Sequence, residues 1–391
     1  MDNFIFLSPT EYIFGKNTIG KVGRRIKKYG GTKVLLHYGA QSAIKSGLLA
    51  EVEECLKNEF VDYVKLGGVQ ANPVDTMVYQ GIELCRKEQV NFILAVGGGS
   101  VIDSAKAIAA GVPYAGDFWN FFERTVTINR ALPVATILTI PAAGSEGSES
   151  MVITKEKEGL KRGAGSLLLR PVFSILDPTL TFTLPANQTA YGAADMMAHV
   201  MERYFTQTQG VDITDRLCEA ILLSIIKEAP VVMREPDNYE ARANLMWAGT
   251  MAHNGICGVG REEDWATHGL EHELSALYGV AHGAGLAVMF PAWMQYVYTS
   301  GIERFVQFAN RVWGIAFTGD KKETALKGIF ALKEFFSSLY LPVNFKQLGA
   351  KANDIDRLVN TLKINSGGQL GAFRKLDMKD AYAIYEIAAK D

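Results

Sequence analysis

The chain has 391 residues, 48% hydrophobic and 21% charged, the make-up of a soluble globular protein of about two domains. Forty basic against 42 acidic side chains leave a formal net charge of −2, which removes the electrostatic case for nucleic acid as the main partner. Cys55, Cys85, Cys218 and Cys257 form no CxxC pair, which argues against a disulfide framework or a thiolate zinc knuckle and for a reducing compartment.

Met1 is followed by neither a basic stretch nor a long apolar one. The longest apolar run, 285–298, carries Pro291 and Gln295. It is short of the roughly 20 residues that a bilayer span needs. The expectation is a cytoplasmic protein with no membrane partner.

In chain order, Lys33–Tyr38 is a short apolar run that stops at Gly39, and it reads as a strand. A helical stretch follows over Gly47–Asn58, then a strand over Val61–Leu66. Asn72-Pro73 is expected to start another helix, because proline suits a first turn. Asn91–Val96 is strand-like and ends at Gly97-Gly98-Gly99-Ser100. Strands that alternate with helices predict a parallel sheet, and their continuous apolar character predicts that both faces are covered. After Leu184-Pro185 the stretches 212–228, 238–254 and 304–312 have helical spacing and little strand signal. The predicted fold class is α/β: a dinucleotide-binding parallel-sheet domain over 1–185, followed by an all-helical metal-binding domain over 186–391.

The glycine loop Gly97–Lys106 follows a buried strand and opens a helix. Its N–H groups and helix dipole favour a phosphate, although its spacing is not G-x-G-x-x-G and glycine loops also occur as plain turns. Beyond the strand that ends at Tyr38 no acid appears as far as Lys45. NAD enzymes often place an acid there for the ribose 2′-hydroxyl. Gly39, Ser42 and Lys45 instead leave room for a 2′-phosphate, unless they merely solvate the turn.

Six histidines occur, and four of them fall in segments that read as one site. Asp195 and His199 are four apart in a helical segment, and so are His268 and His272; His282 follows. Side chains at i and i+4 share a helix face and can reach one ion. One carboxylate with imidazoles suits a divalent transition ion, zinc or ferrous iron, and not calcium. By spacing alone either His268 or His272 is the spare.

The glycine loop, Leu176-Asp177-Pro178, the Asp195/His199 pair and the His268/His272/His282 set resemble, in this order, the iron-containing (group III) alcohol dehydrogenases. Asp264–His268 with Glu271–Leu274 is similar to the NADPH-dependent aldehyde reductase and butanol dehydrogenase branch. The resemblance implies four metal ligands, Asp195, His199, His268 and His282, and a His272 that lies near substrate and nicotinamide. It implies cofactor contacts at Gly98, Gly99, Ser100 and Asp103, and also at Asn72, Thr139, Ala142, Ser148 and Lys161. One departure is that 141–146 holds small residues where many relatives carry paired threonines.

The activity so implied is interconversion of small aldehydes and primary alcohols, such as butanal and butanol, with NADP(H), or else NAD(H), and one Fe2+ or Zn2+. The partner is a small aldehyde or alcohol, and the assembly a homodimer. His272 is the expected proton relay, since imidazole titrates near neutrality. The competing readings are an NADH-preferring polyol dehydrogenase, a dehydroquinate-synthase-like lyase and a non-catalytic nucleotide or metal sensor. The acids and aromatics around His268 disfavour the lyase, whose sugar phosphate would want a basic cluster.

Overall fold

The structure is a computed structural model that describes residues 1–390. It divides into two compact units. One comprises residues 7–184; the other comprises the chain from Pro185 onward together with residues 1–6, a segment that the sequence reading assigned to the first domain.

The first unit runs β1 (Glu11–Phe14), α1 (Val22–Lys28), β2 (Lys33–Gly39), α2 (Ser42–Lys45), α3 (Leu48–Asn58), β3 (Asp62–Val69), α4 (Asp75–Glu88), β4 (Phe92–Gly97) and α5 (Gly99–Gly111). It continues through β5 (Val134–Leu138), the hairpin β6 (Ser150–Lys155) and β7 (Leu160–Gly165), and β8 (Phe173–Leu176). Six strands form one parallel sheet in the order β1-β8-β5-β4-β2-β3. Alternation along β2 decides what each face carries. Val34 and Leu36 pack with Val52 and Leu56 of α3. His37, one residue on, faces the other way and bonds Ser104 of α5 through Nε2 at 2.9 Å.

Sheet order also marks where a ligand can enter. β2 and β4 are neighbours, but the chain leaves β2 for β3 on one side and β4 for β5 on the other. Parallel sheets bind ligands at such a switch point, beyond the carboxyl ends of the strands. Here those ends are Gly39 and Gly97.

The helix expected at Asn72-Pro73 starts two residues later, at Asp75. Asn72 is left-handed (φ 53°), and the carbonyl of Pro73 accepts from Thr154 N at 2.8 Å, so this segment is extended against β6. Pairing with the hairpin overrides the local proline signal.

In the second unit the helices are α6 (Ala186–Tyr204), α7 (Asp212–Arg234), α8 (Tyr239–His253), α9 (Ala266–Tyr278), α10 (His282–Val297), α11 (Ile302–Trp313), α12 (Lys321–Ser338), α13 (Phe345–Leu348), α14 (Ile355–Ser366) and α15 (Met378–Lys390). α6 and α10 are buried almost throughout and form the centre of its core. The apolar run that contains Pro291 is α10, an interior helix, and no described helix is long and apolar enough to cross a membrane.

Candidate functional site

α6 places Asp195, His199 and Glu202 at i, i+4 and i+7, on one buried face. α9 carries His268, Glu271 and His272, and His282 is the first residue of α10. Donor atoms of Asp195, His268 and His282 lie within 4.8 Å of one another. Asp195 Oδ1 is 3.8 Å from His282 Nε2 and 3.7 Å from His199 Nδ1. Ligands bound about 2.0–2.2 Å from a common ion stand roughly 3–4 Å apart, so these spacings suit a metal better than direct hydrogen bonds.

His199 lies outside the group of three, but its ring stacks on that of His268 at 4.9 Å and 18°. Burial, reinforced by His253 and His268, holds its imidazole well below the usual range, which favours the neutral ring that a metal needs. His253 meets it edge-on at 4.2 Å.

Two carboxylates that the sequence reading did not single out brace the imidazoles. Glu202 Oε1 accepts from His268 Nδ1 at 2.7 Å and from His268 N at 2.9 Å, and its Oε2 accepts from Trp265 N at 2.8 Å. Glu271 accepts from His282 Nδ1 and from Ser275 Oγ. A proton held on Nδ1 leaves Nε2 as the lone-pair nitrogen, the arrangement in which carboxylates orient metal-binding histidines. Burial pushes the Glu202 carboxyl up to about 8, partly offset by the His268 and Trp265 N–H donors. The sequence does carry a signal for Glu202: it continues the Asp195/His199 face by one more turn.

Glu271, His272 and His282 form a second, overlapping group within 4.8 Å. Glu271 is already engaged by His282 Nδ1 and Ser275, so an ion there would compete with those bonds. That favours the first group and leaves His272 half-buried beside it, its ring 5.5 Å from that of His282 and 6.4 Å from that of His268.

Two backbone features hold this cluster. A Cβ at Gly285 would stand 2.6 Å from Glu271 Oε1, so only glycine lets α10 come so close to that carboxylate. Trp265 is left-handed (φ 64°), a cost of about 1–2 kcal/mol for a bulky residue. That conformation sets its ring 4.9 Å from that of His268, under the guanidinium of Arg203 at 4.7 Å.

The glycine-loop side belongs to the first unit. α5 begins at Gly99 with Gly98 as its cap and no side-chain capping bond. An uncapped N-terminus just after a buried strand, at the switch point, is a natural seat for a phosphate. A Cβ at Gly99 would come 2.8 Å from Ala143 Cβ, so the next loop packs directly on the first turn. That loop carries Ala142 and Ser148 and is tied at its start by Thr139 N to Gly97 O at 3.1 Å. Gly39 ends β2, Ser42 opens α2, and Ser100 is in the first turn of α5. Lys161 Nζ donates to Asn72 Oδ1 at 3.0 Å.

Asp103, expected among the phosphate-side contacts, holds the neighbouring loop. Its Oδ1 accepts from Ser145 Oγ at 2.6 Å and its Oδ2 from Val152 N at 2.9 Å. An acid so placed does not itself attract an anion. His37, the remaining histidine, is fully buried between Leu66 O and Ser104 Oγ, and burial lowers it to about 4.

Comparison with known proteins covers nearly all of the chain. The iron-containing alcohol dehydrogenase profile matches residues 9–178, and the profile for the C-terminal part of the Fe-containing alcohol dehydrogenase family matches residues 189–389. The NADH-dependent butanol dehydrogenase A of Clostridium acetobutylicum is 41% identical over 99% of both chains. The NADPH-dependent aldehyde reductase of Escherichia coli is 37% identical over 99% of this chain and 100% of that one. Among solved structures, the NADH-dependent butanol dehydrogenase A of Thermotoga maritima superposes with a TM-score of 0.97 at 43% identity, covering 100% of this chain and 99% of that one.

Proposed function

Because this chain belongs to the iron-containing alcohol dehydrogenase family, oxidoreductases of alcohols and aldehydes, we propose that it reduces small aldehydes such as butanal to primary alcohols, and the reverse, with NADP(H). The observation that carries this reading is the convergence of Asp195, His268 and His282, with Glu202 and Glu271 behind the imidazoles. With His199 they hold one divalent ion, Fe2+ or Zn2+, since one carboxylate and three imidazoles suit either. When bound, such an ion supplies Lewis-acid polarisation of the carbonyl, and the nicotinamide supplies the hydride.

The chain's own residues do the rest. Glu202 and Glu271 keep the proton of His268 and His282 on Nδ1, so both rings present Nε2. His272, half-buried beside His282, holds the proton that the product oxygen gains and takes it back in the reverse direction. Gly98, Gly99 and Ser100 receive the pyrophosphate at the start of α5, within reach of the loop that carries Thr139, Ala142 and Ser148. Lys161, with Asn72, adds a positive charge on the same unit.

The preference for NADPH rests on the end of β2. No carboxylate there repels a 2′-phosphate, and a Cβ at Gly39 would touch only Val69 O at 3.8 Å and Val101 Cγ2 at 3.9 Å, so the space is open. Phe4, Ile5 and Phe6 are exposed, Ile5 by 98%, and support a homodimer in which a second copy covers them.

The test is NADPH and NADH oxidation with butanal by anaerobically purified enzyme, before and after chelation and refilling with Fe2+ or Zn2+. The expected outcome is activity that chelation abolishes, refilling restores and NADPH supports with the higher kcat/KM. Butanal-independent turnover only, in the refilled enzyme, would overturn the reading.

A further inference from the structure

Trp265 opens α9 with a left-handed backbone, a conformation that glycine or asparagine adopts at lower cost. Three contacts keep it there. Its N–H donates to Glu202 Oε2 at 2.8 Å, its Nε1 donates to Glu263 Oε2 at 2.6 Å, and the Arg203 guanidinium lies 4.7 Å from its ring centroid. Glu263 also accepts from Arg203 Nε at 3.0 Å, so one carboxylate ties the cation and the indole together. A bulky residue held in a strained conformation by its surroundings, beside a candidate metal site, points to a function for the side chain itself.

The place of the ring narrows that function. Trp265, His268 and His272 stand at i, i+3 and i+7 and share one face of α9. The indole is 4.9 Å from the ring of His268, 6.0 Å from that of His199 and 5.7 Å from that of His253. It flanks His268 on one side along the helix, and His272 flanks it on the other. The polar atom of the indole is spent on Glu263, so what it turns to the imidazoles is carbon. The acids around it are occupied as well. Glu202 holds His268 and Trp265 N, and Asp264 accepts from Ala266 N at 3.2 Å, Ala372 N at 2.6 Å and Phe373 N at 2.7 Å.

We propose that Trp265 is a specificity-determining residue: its indole is the apolar wall for the substrate's carbon chain, and it selects unsubstituted aliphatic aldehydes over hydroxylated ones. This rests on reading the chain as an aldehyde reductase. An aldehyde that takes its proton from His272 carries its chain on the side away from that imidazole, where the indole stands. The indole is only half-buried, which leaves surface for the contact. Methylene groups gain by leaving water against such a surface, whereas a hydroxyl placed there gives up its water and meets no partner.

The experiment compares propanal with D-glyceraldehyde, which differs from it only by hydroxyl groups, in the metal-loaded enzyme, with metal content measured by elemental analysis. Trp265→Gly suits the left-handed backbone and removes the wall. The ratio of kcat/KM for propanal to that for D-glyceraldehyde should fall about ten- to a hundredfold, with the loss on propanal carried by KM and the metal retained. Trp265→Phe restores an apolar ring and should keep the ratio within about threefold of wild type. Should the glycine variant fail to fold, Trp265→Asn tolerates the same backbone, puts an amide in the wall and should lower the ratio as far. A wild-type ratio in either folded variant overturns the proposal and leaves the aldehyde reading standing. Loss of metal with equal loss on both aldehydes also overturns it, since the indole would then support the ligand rings instead. Wild-type enzyme that reduces neither aldehyde with either nucleotide removes the aldehyde reading and this proposal with it.

Discussion

The two units build their sites from opposite materials. In the α/β unit the candidate groups are main chain: the uncapped N–H groups at the start of α5, on which the next loop packs because Gly98 and Gly99 carry no Cβ. In the helical unit they are side chains, Asp195, His268 and His282 with His199 beside them, each imidazole set by a carboxylate or a ring next to it. The first kind of site is sensitive to added atoms and indifferent to most side-chain chemistry. The second is sensitive to the identity of every residue, because a lone pair at a given point has no substitute.

The sharpest break in that contrast is His282→Ala. It should leave the helical fold intact while metal content falls to background and turnover drops by about 10³-fold or more, the several kcal/mol that a Lewis acid contributes. Full metal occupancy in this variant, measured by elemental analysis, would remove His282 from the ligand set.

His272→Ala comes next. A proton relay predicts wild-type metal content, a kcat lower by roughly 10²–10⁴-fold, and loss of a near-neutral group from the pH–rate profile. A ligand predicts loss of metal and activity together, and a packing role predicts neither, only a lower Tm.

Glu202→Gln keeps shape and changes the acceptor behind His268. Metal affinity should fall about 10- to 100-fold, with the protein still folded, as measured by competition with a chelating dye. An unchanged affinity would make Glu202 a packing residue.

On the other unit, Gly99→Ala brings a methyl to 2.8 Å from Ala143 Cβ. NADPH affinity should fall by about tenfold with no change in metal content, as the displaced loop costs on the order of 1–3 kcal/mol. Equal loss of metal would mean that the two sites are not separable in this way.

The smallest effect on turnover belongs to His37, which serves the fold alone. Its folded value of about 4 lies below the unfolded 6.5, so the unfolded chain binds the proton more readily between those limits. The stability tied to neutral His37 is therefore complete above pH 6.5 and is lost as pH falls towards 4. About 3 kcal/mol is at stake over that window. Urea titrations of wild type and His37→Gln from pH 7 to 4 should show that slope in the wild type and not in the variant.

How much of this the sequence determined follows from the range of the forces involved. Local periodicity marked the strands that became β2, β3 and β4, the helical character after Pro185, and the shared faces of Asp195/His199 and His268/His272. Each depends on neighbours within a turn or two, which a sequence displays directly. The glycine loop was visible for the same reason. What only the tertiary structure decided is which distant groups meet. Pro73 lies extended because Thr154 pairs with it, residues 1–6 join the helical unit, and Asp103 meets Ser145 and Val152. Glu202 stands behind His268 across 66 positions, and Glu271 behind His282 across 11. The Lys106 ammonium finds the carbonyl oxygens of Ser145 and Ser150 about 40 residues away. Burial removes water as a partner, so each polar group must find another wherever the fold brings one near, and sequence spacing carries no record of that distance.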